Sequence, residues 1–185
     1  MALTIRCGPA KSSRPIIPIP DEIKHELNSQ LNKVYHTTED LPSKLFITNW
    51  HFTNVHYFTY IHTLELLGCP YLTDVSPLAN ITDLSLIEGK LLVDVSPLCY
   101  VRCLQLAHCP NIIDVSALTE VEELHIVRCC GIRKLSALKN VKIHLKENHG
   151  IVDLDELDQR NITIHVTPRI VFQTHNSKFT YSTPL

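Results

Sequence analysis

The sequence predicts an α/β solenoid, a stack of short coils that together carry one parallel sheet. Three observations predict it. First, residues 61 to 140 divide without a gap into four segments of 20: Ile61 to Asn80, Ile81 to Tyr100, Val101 to Glu120 and Val121 to Asn140. Self-similarity at a short fixed period marks a repeat array whose coils bury their apolar edges on one another. Second, each segment opens on an alternation such as Leu64-Glu65-Leu66, which turns two leucines inward and the residue between them outward. Third, each closes on nearly the same five residues: Asp74-Val75-Ser76-Pro77-Leu78, Asp94 to Leu98, Asp114 to Leu118 and Lys134 to Leu138.

The N-terminal arm, residues 1–20, holds prolines at 9, 15, 18 and 20. Proline removes backbone donors and holds the preceding residue extended, so no regular structure is expected there. Residues 21–43 form a capping helix and connector. Ile23, Leu27, Leu31 and Val34 recur at helical spacing, and Asp21 and Glu22 lie in the first turn, where the helix dipole favours acids. The helix is expected over Asp21 to Val34. A terminal coil has no neighbour, and a helix of this kind covers its apolar edge; docking of a partner is the alternative role.

The solenoid is expected over residues 44–167. It opens on a degenerate coil in which Leu45-Phe46-Ile47 begins the strand, Trp50 occupies the cysteine column and Phe58 the closing-leucine column. After the four regular coils, Val141 to Gln159 forms a fifth, and Ile162 to Val166 alternates as a last strand. Cys69, Gly89, Cys109 and Cys129 share a column three residues after the strand, where a small side chain fits beneath a turn and a thiol offers a weak hydrogen bond to backbone. A looser turn is expected at Gly89. Ser76 and Ser96 are read as N-caps, with Pro77 and Pro97 at the first helical position. About four residues then remain, room for a 3₁₀ turn and not for an α-helix. Residues 168–185 form an extended C-terminal tail.

The run Leu64 to Leu78, L-x-L-x-x-C-x-x-L-x-D-V-S-P-L, resembles a leucine-rich repeat. Its close is similar to internalin-type and phosphatase-regulator-type repeats, which have Asn where this chain has Cys and a longer back segment. The cysteine column resembles that of cysteine-containing leucine-rich repeats, which are longer still. The resemblance covers roughly residues 45 to 166. It implies a right-handed solenoid with the parallel sheet on the concave face and short 3₁₀ or turn segments on the convex face. It also implies protein binding through concave residues, without a named partner.

Outward strand positions form three columns. Lys44, Thr63, Asp83, Cys103, Glu123 and Lys142 form the first; Phe46, Glu65, Ser85, Gln105, His125, His144 and Thr163 the second; Thr48, Leu67, Ile87, Ala107, Val127, Lys146 and His165 the third. Leu67, Ile87, Ala107 and Val127 make an apolar stripe. It reads either as an interface or as a strip tucked under a loop or the chain's own tail. The expected partner-binding residues are Glu65, Leu67, Ser85, Ile87, Gln105, Ala107, His125, Val127, His144 and Lys146. His125 and His144 fall side by side on neighbouring coils, where a shared metal or a pH-sensitive pair comes to mind. No third ligand is evident, so neither metal nor other cofactor is expected. A Cys109–Cys129 disulfide is disfavoured because stacked thiols point the same way.

Charge is uneven. Residues 1–20 sum to +3 and residues 168–185 to +2, which leaves −7 for the middle of a chain whose total is −2. Arg6, Lys11, Arg14, Arg169, Phe172, Lys178, Phe179 and Tyr181 are the expected tail contacts, to a neighbouring protein or to nucleic acid. The basic arm hints at a transit peptide, whereas a secretory signal lacks its apolar core. Seven cysteines without a paired framework suggest a reducing, intracellular compartment. No apolar run is long enough to cross a bilayer, so membrane insertion is not expected. There is no C-x-x-C pair, phosphate loop or nucleophile elbow, so an enzyme is not expected. Two functions remain. The first is a structural, protein-binding subunit of a larger assembly, such as a virion or ribosome-like particle; basic, proline-containing extensions suit it, since a neighbour offsets the entropy cost of ordering them. The second is a free-standing adaptor or regulatory subunit that recognises one protein.

Overall fold

The computed structural model describes residues 18–31, 36–148, 150–158 and 161–165. The chain divides into two units at the junction of Leu41 and Pro42. In the first, helix α1 runs Asp21–Leu31 and buries Ile23 and Leu27, which lie four residues apart on one face. The remaining predicted helical positions, including Val34, lie outside the described residues. Pro18 pairs with Thr37 across an antiparallel bridge, and Ile19 N–H donates to the His36 carbonyl at 3.0 Å. The Asp40 carboxylate accepts from the N–H groups of His36 and Thr37 at 3.0 and 2.9 Å, closing a short 3₁₀ turn at Thr38–Asp40. These bonds hold Asp40 below the usual carboxylate range. No described helix is long and apolar enough to cross a membrane.

The second unit is the repeat array. Its strands are β1 Lys44–Thr48, β2 Thr63–Leu67, β3 Asp83–Ile87, β4 Cys103–Ala107, β5 Glu123–Val127, β6 Lys142–Lys146 and β7 Ile162–His165. They form one parallel sheet in chain order, so each coil adds one strand beside the last. The register reproduces the sequence columns: Leu64 pairs with Leu84, Leu84 with Leu104, Leu104 with Leu124, and Leu124 with Ile143. The inward leucines and isoleucines of β1 to β6 are buried, as are the closing Leu78, Leu98, Leu118 and Leu138. Each fully buried side chain of this size contributes roughly 1.5–3 kcal/mol.

In the degenerate first coil Trp50 fills the cysteine column. It is fully buried and meets the ring of Phe58 edge-on at 5.0 Å. Three aromatics, counting Phe52, occupy space that later coils fill with a thiol and leucines. The Trp50 Nε1 is buried without a hydrogen-bond partner among the described residues.

Where proline follows serine, at Ser76–Leu78 and Ser96–Leu98, the back segment is a 3₁₀ helix. Where alanine replaces proline, it is a single turn closed by Leu118 N–H to Val115 O at 3.0 Å and Leu138 N–H to Leu135 O at 2.8 Å. Proline's fixed φ favours the 3₁₀ form but is not required for it, since His56–Phe58 adopts it with Tyr57 at that place.

Two local expectations are corrected. Ser76 and Ser96 are not the caps; Val75 and Val95 precede the helices, and the capping oxygen comes from the aspartate. Asp74, Asp94 and Asp114 accept from the N–H of Ser76, Ser96 and Ser116 at 2.9, 2.8 and 2.8 Å. An aspartate two residues upstream reaches that N–H in an Asx-turn, while the serine already lies inside the helix. The turn at Gly89 is also no looser than the others. Leu92 N–H reaches the Gly89 carbonyl at 3.3 Å, the same length as Leu72 to Cys69. Cys109 Sγ lies 3.3 Å from where a Gly89 Cβ would stand, so the next coil's thiol fills the space.

Candidate functional site

Strand alternation sends every second residue of the sheet outward. The pairing aligns the outward residues in rows across coils, about 4.8 Å apart. Leu67 is 39% exposed, whereas Ala107 is buried and Ile87 and Val127 are half-buried. The stripe is therefore open at β2 and recessed at β4. Phe46, one column over on β1, is 59% exposed. Phe46 and Leu67 lie diagonally on adjacent strands and are the exposed large apolar side chains among the described outward positions of the sheet. Phe46 was not among the expected binding residues; its only signal was an aromatic at an outward position.

The other expected residues divide by position. Glu65, Gln105, His125 and His144 are half-buried in the middle column, and Lys146 is exposed at the end of β6. Ser85 is half-buried, and its hydroxyl has no hydrogen-bond partner among the described residues. Arg6, Lys11, Arg14, Arg169, Phe172, Lys178, Phe179 and Tyr181 all lie outside the described residues.

Polar groups concentrate on β3 to β6. Arg102 pairs with Asp83 at 2.5 Å. Glu123 is the hub of a denser cluster. Its Oε1 lies 2.8 Å from His144 Nε2, 3.2 Å from His125 Nε2 and 3.2 Å from Lys142 Nζ. The two imidazoles stack, with centroids 4.4 Å apart and planes 8° from parallel. Cys103 stands opposite Glu123 on β4, and one donor atom each from Cys103, Glu123 and His125 falls within 4.8 Å of the others. The side-by-side placement of His125 and His144 follows from column alignment. The convergence of Glu123 and Cys103 was missed, although both stood in the first column. Glu123 precedes His125 by two on one strand, so the two share a face, and its long side chain leans across to both rings.

Burial alone would raise the Glu123 carboxyl; Lys142 and the two histidines hold it below the usual range. Burial, then the negative charges of Glu123 and Asp83, push the Cys103 thiol up. A raised thiol is held in its protonated form at neutral pH.

Beneath the face runs the cysteine column. Cys69 Sγ donates to Ile87 O at 3.5 Å, Cys109 to Ala107 O at 3.3 Å and Cys129 to Leu106 O at 3.4 Å. Burial raises the Cys69 thiol to about 11. Contact with Cys129, then burial, pushes Cys109 up as well. Asn148 ends the column and does more: its Nδ2 donates to Ile126 O and Lys146 O, and its Oδ1 accepts from Cys129 N–H at 2.8 Å. All six described cysteines are free.

No family model and no curated protein sequence matches the chain. Among solved structures, an internalin from Listeria monocytogenes is similar, with a TM-score of 0.54 and 21% identity over 84% of this chain and 53% of that one. The chain thus spans about half the length of that internalin, and the likeness is one of fold.

Proposed function

We propose that this leucine-rich-repeat solenoid is a non-catalytic protein-recognition module that serves as a subunit of a larger assembly. The observation that carries the reading is the apolar surface of Phe46 and Leu67 on the outward face of the sheet, continued by half-buried Ile87 and Val127. Apolar surface on a face already supported by its own core is the mark of an interface. The outward columns set Glu65, Asp83 and Glu123 against Lys44, Lys142 and Lys146, so this face lacks the net basic surface that phosphates require, which supports a protein partner. The basic termini support the assembly half of the reading, as do free thiols for a reducing compartment.

A photo-crosslinking residue placed at 67 and, separately, at Tyr100 in the native source tests the reading. Tyr100 is 76% exposed at the end of a back segment. Adducts with one protein are expected at 67 and not at 100; equal or stronger adducts at 100 sink the reading. Sedimentation of the same extract tests the assembly. Migration with a large particle is expected, and migration as a free chain or a simple pair supports an adaptor instead.

A further inference from the structure

We infer that the outward face of β4 to β6 carries a binding site for a zinc-class divalent transition cation. Its core ligands are Cys103 Sγ, the Glu123 carboxylate and the His125 imidazole, and His144, whose Nε2 lies 2.8 Å from Glu123 Oε1, is the fourth. The sequence offered two histidines and no third ligand. The fold supplies the others, because Cys103 and Glu123 are register partners, as are His125 and His144. Thiolate, imidazole and carboxylate together suit zinc and its neighbours in the first transition row, and do not suit magnesium or calcium, which take oxygen.

The distances fit with small adjustment. Bonds of about 2.0–2.3 Å in a tetrahedron place ligand atoms roughly 3.3–3.8 Å apart. His125 Nε2 and Glu123 Oε1 stand 3.2 Å apart, and the triad with Cys103 spans at most 4.8 Å. For these three the remaining contraction, about 1 Å, is within the reach of side-chain rotation at half-buried positions, while His144, two strands from Cys103, moves further to complete the tetrahedron. Both Nε2 atoms stand within 3.2 Å of Glu123 Oε1, and because the rings are stacked, binding one cation requires them to splay toward it. Lys142 Nζ also lies 3.2 Å from that oxygen, so an ammonium competes for the carboxylate that the cation would take. The charges balance on exchange. Cys103 gives its proton to solvent, Lys142 swings out, and one dication meets two anionic and two neutral ligands.

The alternative is a purely structural cluster of ion pairs and hydrogen bonds, and Lys142 separates the two. In a structural cluster Lys142→Met removes a partner and changes nothing about metals. In a metal site it removes the competing cation and tightens binding.

The experiment titrates the purified, reduced full chain with Co²⁺ and follows absorption, then displaces the cobalt with Zn²⁺. One equivalent is expected, with a thiolate-to-cobalt charge-transfer band and the visible bands of a tetrahedral ion. Cys103→Ser is expected to abolish the charge-transfer band. His125→Ala and His144→Ala each weaken binding by at least about tenfold. Lys142→Met tightens it several-fold, and Cys99→Ser with Cys130→Ser leaves the spectrum unchanged. Failure of the wild-type chain to bind one equivalent overturns the proposal. So does a charge-transfer band that survives Cys103→Ser, a spectrum that follows Cys99 or Cys130, or unchanged or weaker binding in Lys142→Met. Should a variant not fold, the wild-type chain still tests the site through alkylation of Cys103, read by mass spectrometry. Zn²⁺ is expected to protect that thiol, and equal alkylation with and without the metal overturns the site.

Discussion

Asp153 shows how one carboxylate makes good a missing cap. Three coils cap their back segment with their own aspartate, but the next carries Lys134 there. Asp153, from the following coil, is 4% exposed and reaches back to accept from Leu135 N–H at 2.9 Å and Ser136 N–H at 2.8 Å. Burial would raise this carboxyl, yet these backbone donors hold it below the usual range. Asp153→Ala leaves two N–H groups without their acceptor, one of them buried, and is expected to cost about 2–3 kcal/mol in urea unfolding. Asp94→Ala, at an exposed cap, is expected to cost less. The sign with pH follows from the depressed pKa. The charge of Asp153 stabilises the fold above the unfolded value of about 4, and that stabilisation is lost as pH falls through the lower folded value. The stability gap between wild type and Asp153→Asn should therefore be full at neutral pH and narrow below about pH 4. A gap that widens on acidification contradicts this account. Gly131 is the second sensitive residue. A Cβ there would press on Ile112 O and stand 2.5 Å from Pro110 O, both backbone of the preceding coil. Gly131→Ala must push adjacent coils apart, and a loss of about 2–3 kcal/mol is expected by the same measurement.

At the scale of the strand, each of β1 to β6 ends in one residue of left-handed conformation: Asn49, Gly68, Glu88, His108, Arg128 and Glu147, with φ between 52° and 77°. In the first five the N–H of that residue still donates across the sheet, as Glu88 does to Ala107 O at 2.9 Å. The chain thus turns sharply without breaking the ladder. Left-handed backbone costs a side-chain-bearing residue about 1–2 kcal/mol, and glycine's larger entropy loss takes back roughly half of that. Glu88→Gly is therefore expected to stabilise the fold by about 0.5–1 kcal/mol. Gly68→Ala, whose Cβ would also crowd Asn49 Oδ1 at 3.2 Å, should destabilise it by about 1 kcal/mol or more. Chemical denaturation of both variants checks the pair, and a shared sign would refute the strain argument. This column was not legible in the sequence. Asn49, Gly68 and His108 are of types that favour the conformation, but Glu and Arg at the other three positions carry no such signal, and the coil geometry imposes it on them. The strands themselves were legible, because leucine alternation at a fixed period admits one register only. Side-chain lean was not. Nothing in the spacing of Cys103, Glu123 and His125 says that a glutamate will cross to the histidine column.

At the scale of the whole repeat array, interactions run between successive coils, since the seven strands stack in chain order. Stability in such an array is close to a sum of coil terms and nearest-neighbour interfaces. That additivity, together with the identity of the columns, makes one coil dispensable. Removing residues 81–100 joins Asn80 to Val101 and sets β2 directly beside β4 in the old register: Leu64 meets Leu104, Leu66 meets Leu106, and Cys69 comes beside Cys109 where Gly89 now intervenes. The backbone donors find equivalent acceptors. Arg102 N–H, now on Thr82 O, inherits the His62 carbonyl, and Gly68 N–H moves from Ile87 O to Ala107 O. What is lost is one coil, one interface and the Arg102–Asp83 pair, an exposed contact worth little. At about 0.05–0.15 kcal/mol per residue, a coil of this length contributes roughly 1–3 kcal/mol. The shortened chain is expected to unfold cooperatively, with strand content reduced by one strand and stability lower by that amount. Removing residues 81–90 instead places the Leu92 region where a strand is required and should leave no cooperative transition. Circular dichroism and urea titration of the two deletions decide the matter. If the 20-residue deletion fails to fold while the intact chain folds normally, the coils are not the interchangeable units that their columns describe.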